Sequence, residues 1–429
     1  MASVPDARQG LDENKEPLRG QALSLYRILD LSDEKGLLCG KILADLGAEV
    51  IKLERPGGES ARNIGPFYRD RPHPERSLFW LAYNSGKKSI TLNLEHGEGR
   101  DLLRSLVKEA DVLIETLQPG RLEAMGLGYE ILAKVNPQLV LTSITPFGQS
   151  GPYRDYKGPD LVNMAMGGYM YICGDVDRPP VRVTLPQSYM MASVQAAMGT
   201  LLALRQRNMV GGGQHVDVSI QESLTSCITI EIAFWQAQRY APQRMGVRKR
   251  RGANNARDLW PCKDGYIGWR LLGGGLGSPT MRALLAWMES EGMAGNLMGI
   301  DWDTVDMTKV SQEEMEGWEN QIIAFFRRHT KAEIYEKALA GRMLMCPEYN
   351  PEELLKYDQL RDRDYWVETN HPGLGLRTTQ PGEFCKMEGT PLKKGKPAPL
   401  VGEHNQAIYA DLLGISPRDL VVLRERNII

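Results

Sequence analysis

The sequence predicts an α/β fold built on an open, mostly parallel β-sheet that helices cover on both faces. Two observations support this fold class. Short apolar runs of strand length alternate with segments in which apolar residues recur at helical spacing. Strands that are linked through helices are joined by crossover connections, and such connections give parallel strands.

The elements of the first part of the chain follow in regular order. They are a strand at 26–31, a helix at 36–46, strands at 49–53 and 89–94, a helix at 97–109, and strands at 111–115 and 139–144. Gly47 ends the first helix, as glycine commonly does. Two long helices are predicted next, at 187–205 and 222–240, with a turn at 211–214 and a strand at 215–220 between them.

After residue 242 the regular alternation of long helices and strands gives way to a basic segment that contains Gly and Asn residues. Residues 260–273 predict a strand and a turn around Lys263-Asp264-Gly265, and residues 373–400 predict a return of strand and loop. The predicted organisation is a mobile N-terminal tail at 1–22, the first part of a large domain at 23–228, linkers and a small domain at 229–347, and a C-terminal return to the large domain at 348–429.

The composition excludes several classes of function. The 429 residues carry 52 Lys and Arg against 54 Asp and Glu, which gives no support for a nucleic-acid partner or a membrane surface. The six cysteines are scattered, without a CxxC pair or a Cys/His cluster, so neither a disulfide scaffold nor a metal site is expected. No apolar stretch reaches the length of a membrane helix, and no signal-peptide pattern is seen, so we expect a cytoplasmic protein.

The familiar cofactor and hydrolase motifs do not occur. The first strand-helix turn, residues 30–40, holds no GxGxxG, and no P-loop, HExxH or GxSxG pattern is found elsewhere. Cations at turns beside predicted strands, Arg55 and Lys87-Lys88, are either solvated residues or partners for phosphate groups. The basic cluster at 244–257 predicts a solvated face or a partner contact in preference to a nucleic-acid patch.

Ordered blocks along nearly the whole chain give a family resemblance. They include Leu-Glu-Arg-Pro-Gly-Gly at 53–58, Asn-Ser-Gly-Lys-Lys-Ser-Ile at 84–90, and the segments 110–115, 147–152, 211–219 and 399–404. In these blocks the sequence resembles the class III CoA-transferases, the CaiB/BaiF family. The resemblance implies a Rossmann-like large domain, a smaller α+β domain, and a dimer in which two chains are interlocked.

The resemblance also implies a chemistry. In such enzymes an aspartate attacks an acyl-CoA thioester and forms a mixed anhydride. CoA then returns to give an aspartyl-CoA thioester, from which the acceptor acid takes the CoA. No metal and no permanently bound cofactor is implied, because the CoA thioester is itself a substrate.

The expected aspartate is absent from this sequence. The Pro179-Pro180 pair and the glycine at 199 place Tyr189 at the family position. A phenol with a pKa near 10 is mostly protonated at neutral pH and makes a poor substitute. The nearest acids before it, Asp160, Asp175 and Asp177, are expected to have capping or turn roles.

Arg55, Lys87 and Lys88 match blocks that contact CoA in the family, and Arg121 is a further candidate by proximity. One branch of the family, which includes enzymes acting on benzylsuccinate, pairs a subunit that has the aspartate with one that lacks it. The segment 186–189 resembles the aspartate-less subunit. We therefore expect a subunit of a heteromeric CoA-transferase, with succinyl-CoA as donor and a homologous partner that supplies the aspartate. A self-sufficient homo-oligomeric transferase or isomerase and a CoA-ester-binding scaffold are the alternatives.

Overall fold

The structure, a computed structural model, describes residues 20–429 apart from the side chain of Arg251. Residues 1–19, most of the predicted tail, lie outside the described residues. The chain divides into two compact units. The larger holds the chain up to Gly167, Leu185–Cys227 and Asp362–Ile429, and the smaller holds Gly168–Thr184 and Ile228–Arg361.

The strands are numbered in chain order. They are β1 (Arg27–Leu31), β2 (Glu49–Glu54), β3 (Lys88–Thr91), β4 (Val112–Glu115), β5 (Val140–Thr145), β6 (His215–Ser219), β7 (Arg248–Arg251), β8 (Asn254–Arg257), β9 (Leu259–Cys262), β10 (Gly265–Trp269), β11 (Met345–Pro347), β12 (Trp366–His371) and β13 (Leu376–Pro381).

The α-helices are numbered in the same way. They are α1 (Leu37–Asp45), α2 (Leu78–Asn84), α3 (Gly97–Lys108), α4 (Arg121–Ala124), α5 (Tyr129–Val135), α6 (Asp160–Met166), α7 (Gln187–Val210), α8 (Ile220–Thr225), α9 (Thr229–Gln238), α10 (Gly274–Ser290), α11 (Gln312–Phe326), α12 (Lys331–Gly341), α13 (Pro351–Lys356), α14 (Asp358–Asp362) and α15 (Pro417–Glu425). A π-helical segment spans Gln406–Leu412.

The larger unit is built on a six-stranded sheet in the order β3-β2-β1-β4-β5-β6. All five neighbouring pairs run parallel. This is the strand order of the Rossmann fold, in which the direction of strand addition reverses between β1 and β4. The predicted fold class is therefore confirmed.

Side-chain alternation along the strands explains why helices cover both faces. Ile28 and Val112 are neighbours in register and face the core beneath α1 and α7. Leu29 and Leu113, one residue further, face the opposite core beneath α3 and α5. Because both faces are buried, apolar residues can follow one another without alternation, as Val112, Leu113 and Ile114 do in β4.

The smaller unit contains a three-stranded antiparallel sheet in the order β11-β10-β9 and a two-stranded ladder of β7 and β8. Its core is rich in aromatic residues, and the indole rings of Trp260 and Trp269 lie 4.8 Å apart at their centres. The strands and helices of this unit confirm the predicted α+β character. Among residues 20–429, no helix is both long enough and apolar enough to cross a bilayer.

The prediction of one long helix at 222–240 was wrong. The helix ends at Thr225, a short 3₁₀ segment occupies Ser226–Ile228, and α9 begins at Thr229. The hydroxyls of Thr225 and Ser226 donate hydrogen bonds to carbonyls four and three residues before them. Side chains that bond to the preceding turn in this way compete with the helical ladder.

Candidate functional site

The reversal of strand order places a groove at the carboxyl ends of β1 and β4. Open α/β sheets bind ligands at this point, because the connections leave the sheet in opposite directions there. Asp33 follows β1 and Thr116 follows β4, and the two loops are tied together. The Thr116 hydroxyl donates to the Asp33 carboxylate at 2.8 Å and accepts from the Asp33 backbone N–H at 2.9 Å.

Two adjoining cavities form the groove, one of about 330 Å³ and one of about 390 Å³. They share Asp33, Thr116 and Leu117. The smaller cavity is lined further by Glu34, Lys35, Gln118, Pro146, Lys157, Gly158, Pro159 and Tyr189. The larger extends over the ends of β2 and β3, where it meets Arg55 and Glu95. Both volumes are in the range of small-molecule sites, about 300 to 1,000 Å³.

Tyr189 lies in the first turn of α7 and lines the smaller cavity, with 7% of its surface exposed. The residue before it fixes this turn. The Asp160 carboxylate accepts from the backbone N–H of Ser188 at 3.1 Å and from its hydroxyl at 2.7 Å. Asp160 therefore has the capping role predicted for it, and it supplies the polar partner that Pro186, as N-cap residue, lacks.

The surroundings of Tyr189 keep its phenol protonated. Burial raises the pKa of the phenol, and the nearby carboxylates of Glu34, Asp160 and Asp33 raise it further, while a hydrogen bond from the Asp160 backbone acts in the opposite direction. A phenol with a raised pKa is a weak nucleophile at neutral pH. Tyr189, which the sequence predicts at the family's aspartate position, therefore lines the cavity with a phenol that is a poor nucleophile.

Glu34 is a residue of this cavity that sequence reasoning missed. It lies in the loop after β1, half-buried, and burial together with the charge of Asp33 raises the pKa of its carboxyl group. Its position directly after the first strand of a parallel sheet was the available signal. Glu34 is thus a carboxyl group in the same cavity as Tyr189.

Lys87 directly precedes β3, and its fully buried side chain uses all three of its N–H donors. Its ammonium group donates to the Asp30 carboxylate at 2.8 Å, to the Leu37 carbonyl at 2.9 Å and to the Asn84 amide oxygen at 3.0 Å. Burial raises the pKa of Asp30, but the charges of Lys52 and Lys87 outweigh it and lower that pKa to about 2. These contacts support a structural role for Lys87, and its predicted contact with CoA stays a prediction.

Arg55 and Arg121 lie at the carboxyl edge of the sheet. Arg55 lines the larger cavity and is exposed, and its guanidinium group forms no hydrogen bond or ion pair with other residues in 20–429. Arg121 begins α4 and forms a bidentate pair with Glu95, at 2.6 and 2.8 Å. Lys88, by contrast, begins β3, pairs with Glu49 at 2.5 Å, and lines a cavity at the amino-terminal edge of the sheet. The structure does not bring the four predicted CoA-binding residues together.

Glu115, at the end of β4, is a second residue that sequence reasoning did not assign. Its carboxylate accepts from the backbone N–H of Leu117 at 2.6 Å, which shapes the loop shared by both cavities. Burial raises the pKa of Glu115 to about 7, against the hydrogen bonds from Ser143 and Leu117, which lower it. The Ser143 hydroxyl also lies 2.9 Å from Nε2 of His215.

The remaining predicted features lie in the smaller unit. Asp175 and Asp177 are exposed, and the carbonyl of Asp175 accepts from the Arg244 guanidinium at 3.0 Å. In the basic cluster at 244–257, Arg248 pairs with the buried Glu319 at 2.6 Å. Within the described part of the chain, no group of three or more His, Cys, Asp or Glu residues is arranged to hold a metal ion.

Comparison with curated proteins gives relatives along nearly the whole chain. Succinyl-CoA:(R)-benzylsuccinate CoA-transferase subunit BbsE of Thauera aromatica is 34% identical over 397 residues, covering 91% of this chain and 94% of the relative. Succinyl-CoA–D-citramalate CoA-transferase of Chloroflexus aurantiacus is 32% identical, covering 92% of this chain and 94% of the relative.

Solved structures show the same fold. A CaiB/BaiF family protein from Brucella suis superimposes with a TM-score of 0.80 at 26% identity, covering 92% of this chain and 100% of that one. The sequence profile of CoA-transferase family III matches residues 23–405. Together with the Rossmann strand order and the groove at its switch point, these matches show that the chain belongs to CoA-transferase family III, whose members use CoA thioesters as substrates.

Proposed function

We propose that this chain is the aspartate-less subunit of a heteromeric CoA-transferase. The observation that carries the proposal is Tyr189, which lines the cavity at the switch point with a phenol that stays protonated. A homologous partner subunit would supply the aspartate. The relative BbsE is named as a subunit of a CoA-transferase, which supports this assignment.

In the proposed reaction the partner's aspartate attacks the carbonyl carbon of the donor thioester and expels CoA thiolate. The resulting mixed anhydride is attacked at its aspartyl carbonyl by the thiolate, which releases the donor acid and leaves an aspartyl-CoA thioester. The acceptor carboxylate then attacks that thioester, expels CoA thiolate and forms a second anhydride. The thiolate finally attacks the acceptor acyl group, which frees the aspartate.

We place the CoA ester of this chain in the groove at the carboxyl edge, with succinyl-CoA as donor and an arylsuccinate or a related acid as acceptor. Arg55 supports this placement, because it is a cation without a protein partner among residues 20–429 and it lines the groove. The names of the two relatives both specify succinyl-CoA. The six cysteines, none of them in a disulfide, support a reducing cytoplasm as the location.

Exposed apolar helix surfaces support a partner chain. None of the residues of α9 is buried, although Ile230, Phe234 and Trp235 lie on it, with Trp235 51% exposed. On α7, Met198 and Leu202 are exposed as well. Apolar surface of this extent marks a contact with another protein, and an interlocked homologous subunit is the partner that the family resemblance implies.

Glu34 favours a second candidate, a self-sufficient enzyme in which this carboxyl group carries the acyl chain. It is the one acid at the cavity of Tyr189 whose pKa is raised while it remains partly exposed. In that case the purified single chain would be active, and Glu34→Gln would abolish the activity.

Purification of this chain alone, and together with an Asp-containing family member from the same organism, separates the two candidates. We expect CoA transfer from succinyl-CoA to benzylsuccinate only from the pair. We also expect Glu34→Gln to leave the activity of the pair within about twofold, with Asp155→Asn, a change at an exposed acid, as the matched control. Transfer by the single chain would contradict the proposal.

Binding of the CoA ester is tested separately. We expect Arg55→Ala to weaken the binding of CoA to this chain about tenfold, because it removes one charge-assisted contact. Arg418→Ala removes an exposed cation from α15, which does not line the groove, and is the control. Equal affinity of the Arg55 variant and the parent would refute the placement of CoA in the groove.

A further inference from the structure

A third cavity, of about 360 Å³, opens at the amino-terminal edge of the six-stranded sheet. It is formed where β2 and β3 begin and where the segment 393–404 passes over them. The groove described above lies at the carboxyl ends of the strands and shares no lining residue with this cavity. Its volume suits a small organic ligand.

Four lysines line this cavity, Lys87, Lys88, Lys393 and Lys396, but the ammonium group of Lys87 is already bonded to Asp30, Leu37 and Asn84. Lys393 is half-buried, and Lys393 and Lys396 form no ion pair with a carboxylate among residues 20–429. Lys396 lies close enough to Lys393 for its charge to act on that ammonium group. Burial, followed by the charges of Lys396 and Lys88, lowers the pKa of Lys393. Two ammonium groups held this closely repel each other unless an anion lies between them.

The carboxylates of the cavity do not neutralise this pair. The two oxygens of Glu49 are taken by Arg27, at 2.6 Å, and by Lys88, at 2.5 Å. Glu403 accepts a hydrogen bond from the backbone N–H of Leu400 at 2.8 Å. Asp45 also lies near Lys393, but its carboxylate is paired with Lys41 at 2.7 Å. Lys393 and Lys396 therefore form no ion pair of their own among residues 20–429 and can meet an anionic ligand.

His404 adds a neutral donor to the same cavity. Its Nδ1 accepts from the backbone N–H of Ser89 at 3.2 Å, so the neutral imidazole carries its proton on Nε2. Burial and the charge of Lys88 lower the pKa of His404, while the charge of Glu403 acts in the opposite direction. The lowered pKa favours the neutral ring at pH 7. The cavity thus combines ammonium donors with an imidazole N–H.

We propose that this cavity binds a small phosphate-bearing molecule, with Lys393 and Lys396 on the phosphate and His404 as a further donor. A phosphate group has three or more acceptor oxygens and up to two negative charges, which match several ammonium donors better than a single carboxylate does. The volume leaves room for an organic group attached to the phosphate.

Titration calorimetry of this chain at pH 7 and low salt, with pyrophosphate as the probe, tests the site. We expect saturable binding of one pyrophosphate per chain, and a loss of affinity of about tenfold or more in Lys393→Ala/Lys396→Ala, because two charge-assisted contacts are removed. Circular dichroism of the variant establishes that it is folded. Lys134→Ala, a change at an exposed lysine of α5, is the matched control and should bind like the parent.

Free CoA in the same experiment identifies the source of the phosphate. Displacement of pyrophosphate by CoA in the Arg55→Ala background would assign the cavity to the phosphates of CoA, and the absence of displacement would assign it to a separate phosphorylated molecule. Either result requires the site to exist. Absence of saturable pyrophosphate binding, or equal binding by the double variant and the parent, would overturn the proposal.

Discussion

The side chain of Tyr189 contributes to the packing of the fold but not to the proposed covalent chemistry. It lies at the start of α7, where we propose that it replaces the family's aspartate, and its phenol packs into the core while facing the cavity. Its neighbours Glu34, Asp33 and Asp160 are acids, and their negative charge disfavours a phenolate. The hydroxyl is therefore dispensable for covalent catalysis, although the ring is needed for packing.

Tyr189→Phe removes only the hydroxyl. We expect the heteromeric enzyme that contains this variant to keep kcat within about twofold, since the phenol takes no part in acyl transfer. Tyr189→Ala, which also removes the ring, should lower the melting temperature of the chain, because it leaves a cavity in the core. Loss of activity in the Phe variant at unchanged stability would assign a chemical role to the hydroxyl and contradict the proposed function.

Lys87 and Lys88 are adjacent in sequence, but the structure predicts opposite responses to substitution. Lys87→Met leaves the buried Asp30 carboxylate without one of its two lysine partners, and breaking a buried pair in this way costs about 3 to 5 kcal/mol. Lys88→Met breaks a partly exposed pair with Glu49 and should cost about 1 kcal/mol or less. Urea unfolding of the two variants measures both values. Similar small effects would show that the Asp30 network does not stabilise the fold.

Because the pKa of Glu115 is raised by folding, we expect the stability of the chain to depend on pH. Its pKa in the folded chain, about 7, lies above the ordinary value of 4.5. The stability associated with the protonated form is fully present below pH 4.5 and is lost as the pH rises through 7. The difference between these two pKa values corresponds to a change of about 3 kcal/mol in the free energy of unfolding.

We therefore expect Glu115→Gln to gain stability relative to the parent as the pH rises from 5 to 8, measured as the difference in the free energy of unfolding between the two proteins. The isosteric amide keeps an acceptor for the Leu117 N–H. Glu130→Gln, a change at the edge of α5 in the same unit, is the control. A constant difference between Glu115→Gln and the parent across this range would show that Glu115 is ionised throughout.

At the scale of elements, the sequence predicted five of the six strands of the parallel sheet to within one residue at each end, because apolar residues mark them. The exception, β3, ends at Thr91, three residues before its predicted end. β2 and β5 differ from their predicted bounds by one residue at one or both ends. The helix at 222–240 was mispredicted, since its apolar residues continue through the break at Ser226–Ile228. Apolar periodicity does not register the side-chain hydrogen bonds that end α8 at Thr225.

The exposed helix α9 leads to a prediction about assembly. We expect Phe234→Ser/Trp235→Ser to leave the isolated chain folded, because both side chains are exposed, and to abolish co-purification with the Asp-containing subunit. Gln236→Ser changes a neighbouring exposed polar residue and should have no effect. Unimpaired assembly of the double variant would show that α9 is not at the interface between subunits.

At the scale of the whole molecule, the family blocks in the sequence predicted the fold and the absence of the nucleophile. Which residues meet in the groove could not be predicted without the order of the strands in the sheet. Asp33 and Thr116 are 83 residues apart and meet only because β1 and β4 are neighbours in the sheet. Lys87 and Lys88 are neighbours in the same sequence block and had the same predicted role. The side chain of Lys87 nevertheless points into the core, whereas that of Lys88 points towards the amino-terminal edge of the sheet. Strand order and side-chain direction, which a local pattern does not contain, decide these placements.

The most direct test of the central claim is to trap the acyl-enzyme of the two-subunit protein during turnover. The pair is mixed with succinyl-CoA, quenched with hydroxylamine or borohydride, digested, and analysed by mass spectrometry. We predict modification of one aspartate of the partner and of no residue in this chain. A modified side chain in this chain, at Glu34 or elsewhere, would contradict the assignment of a non-nucleophilic subunit.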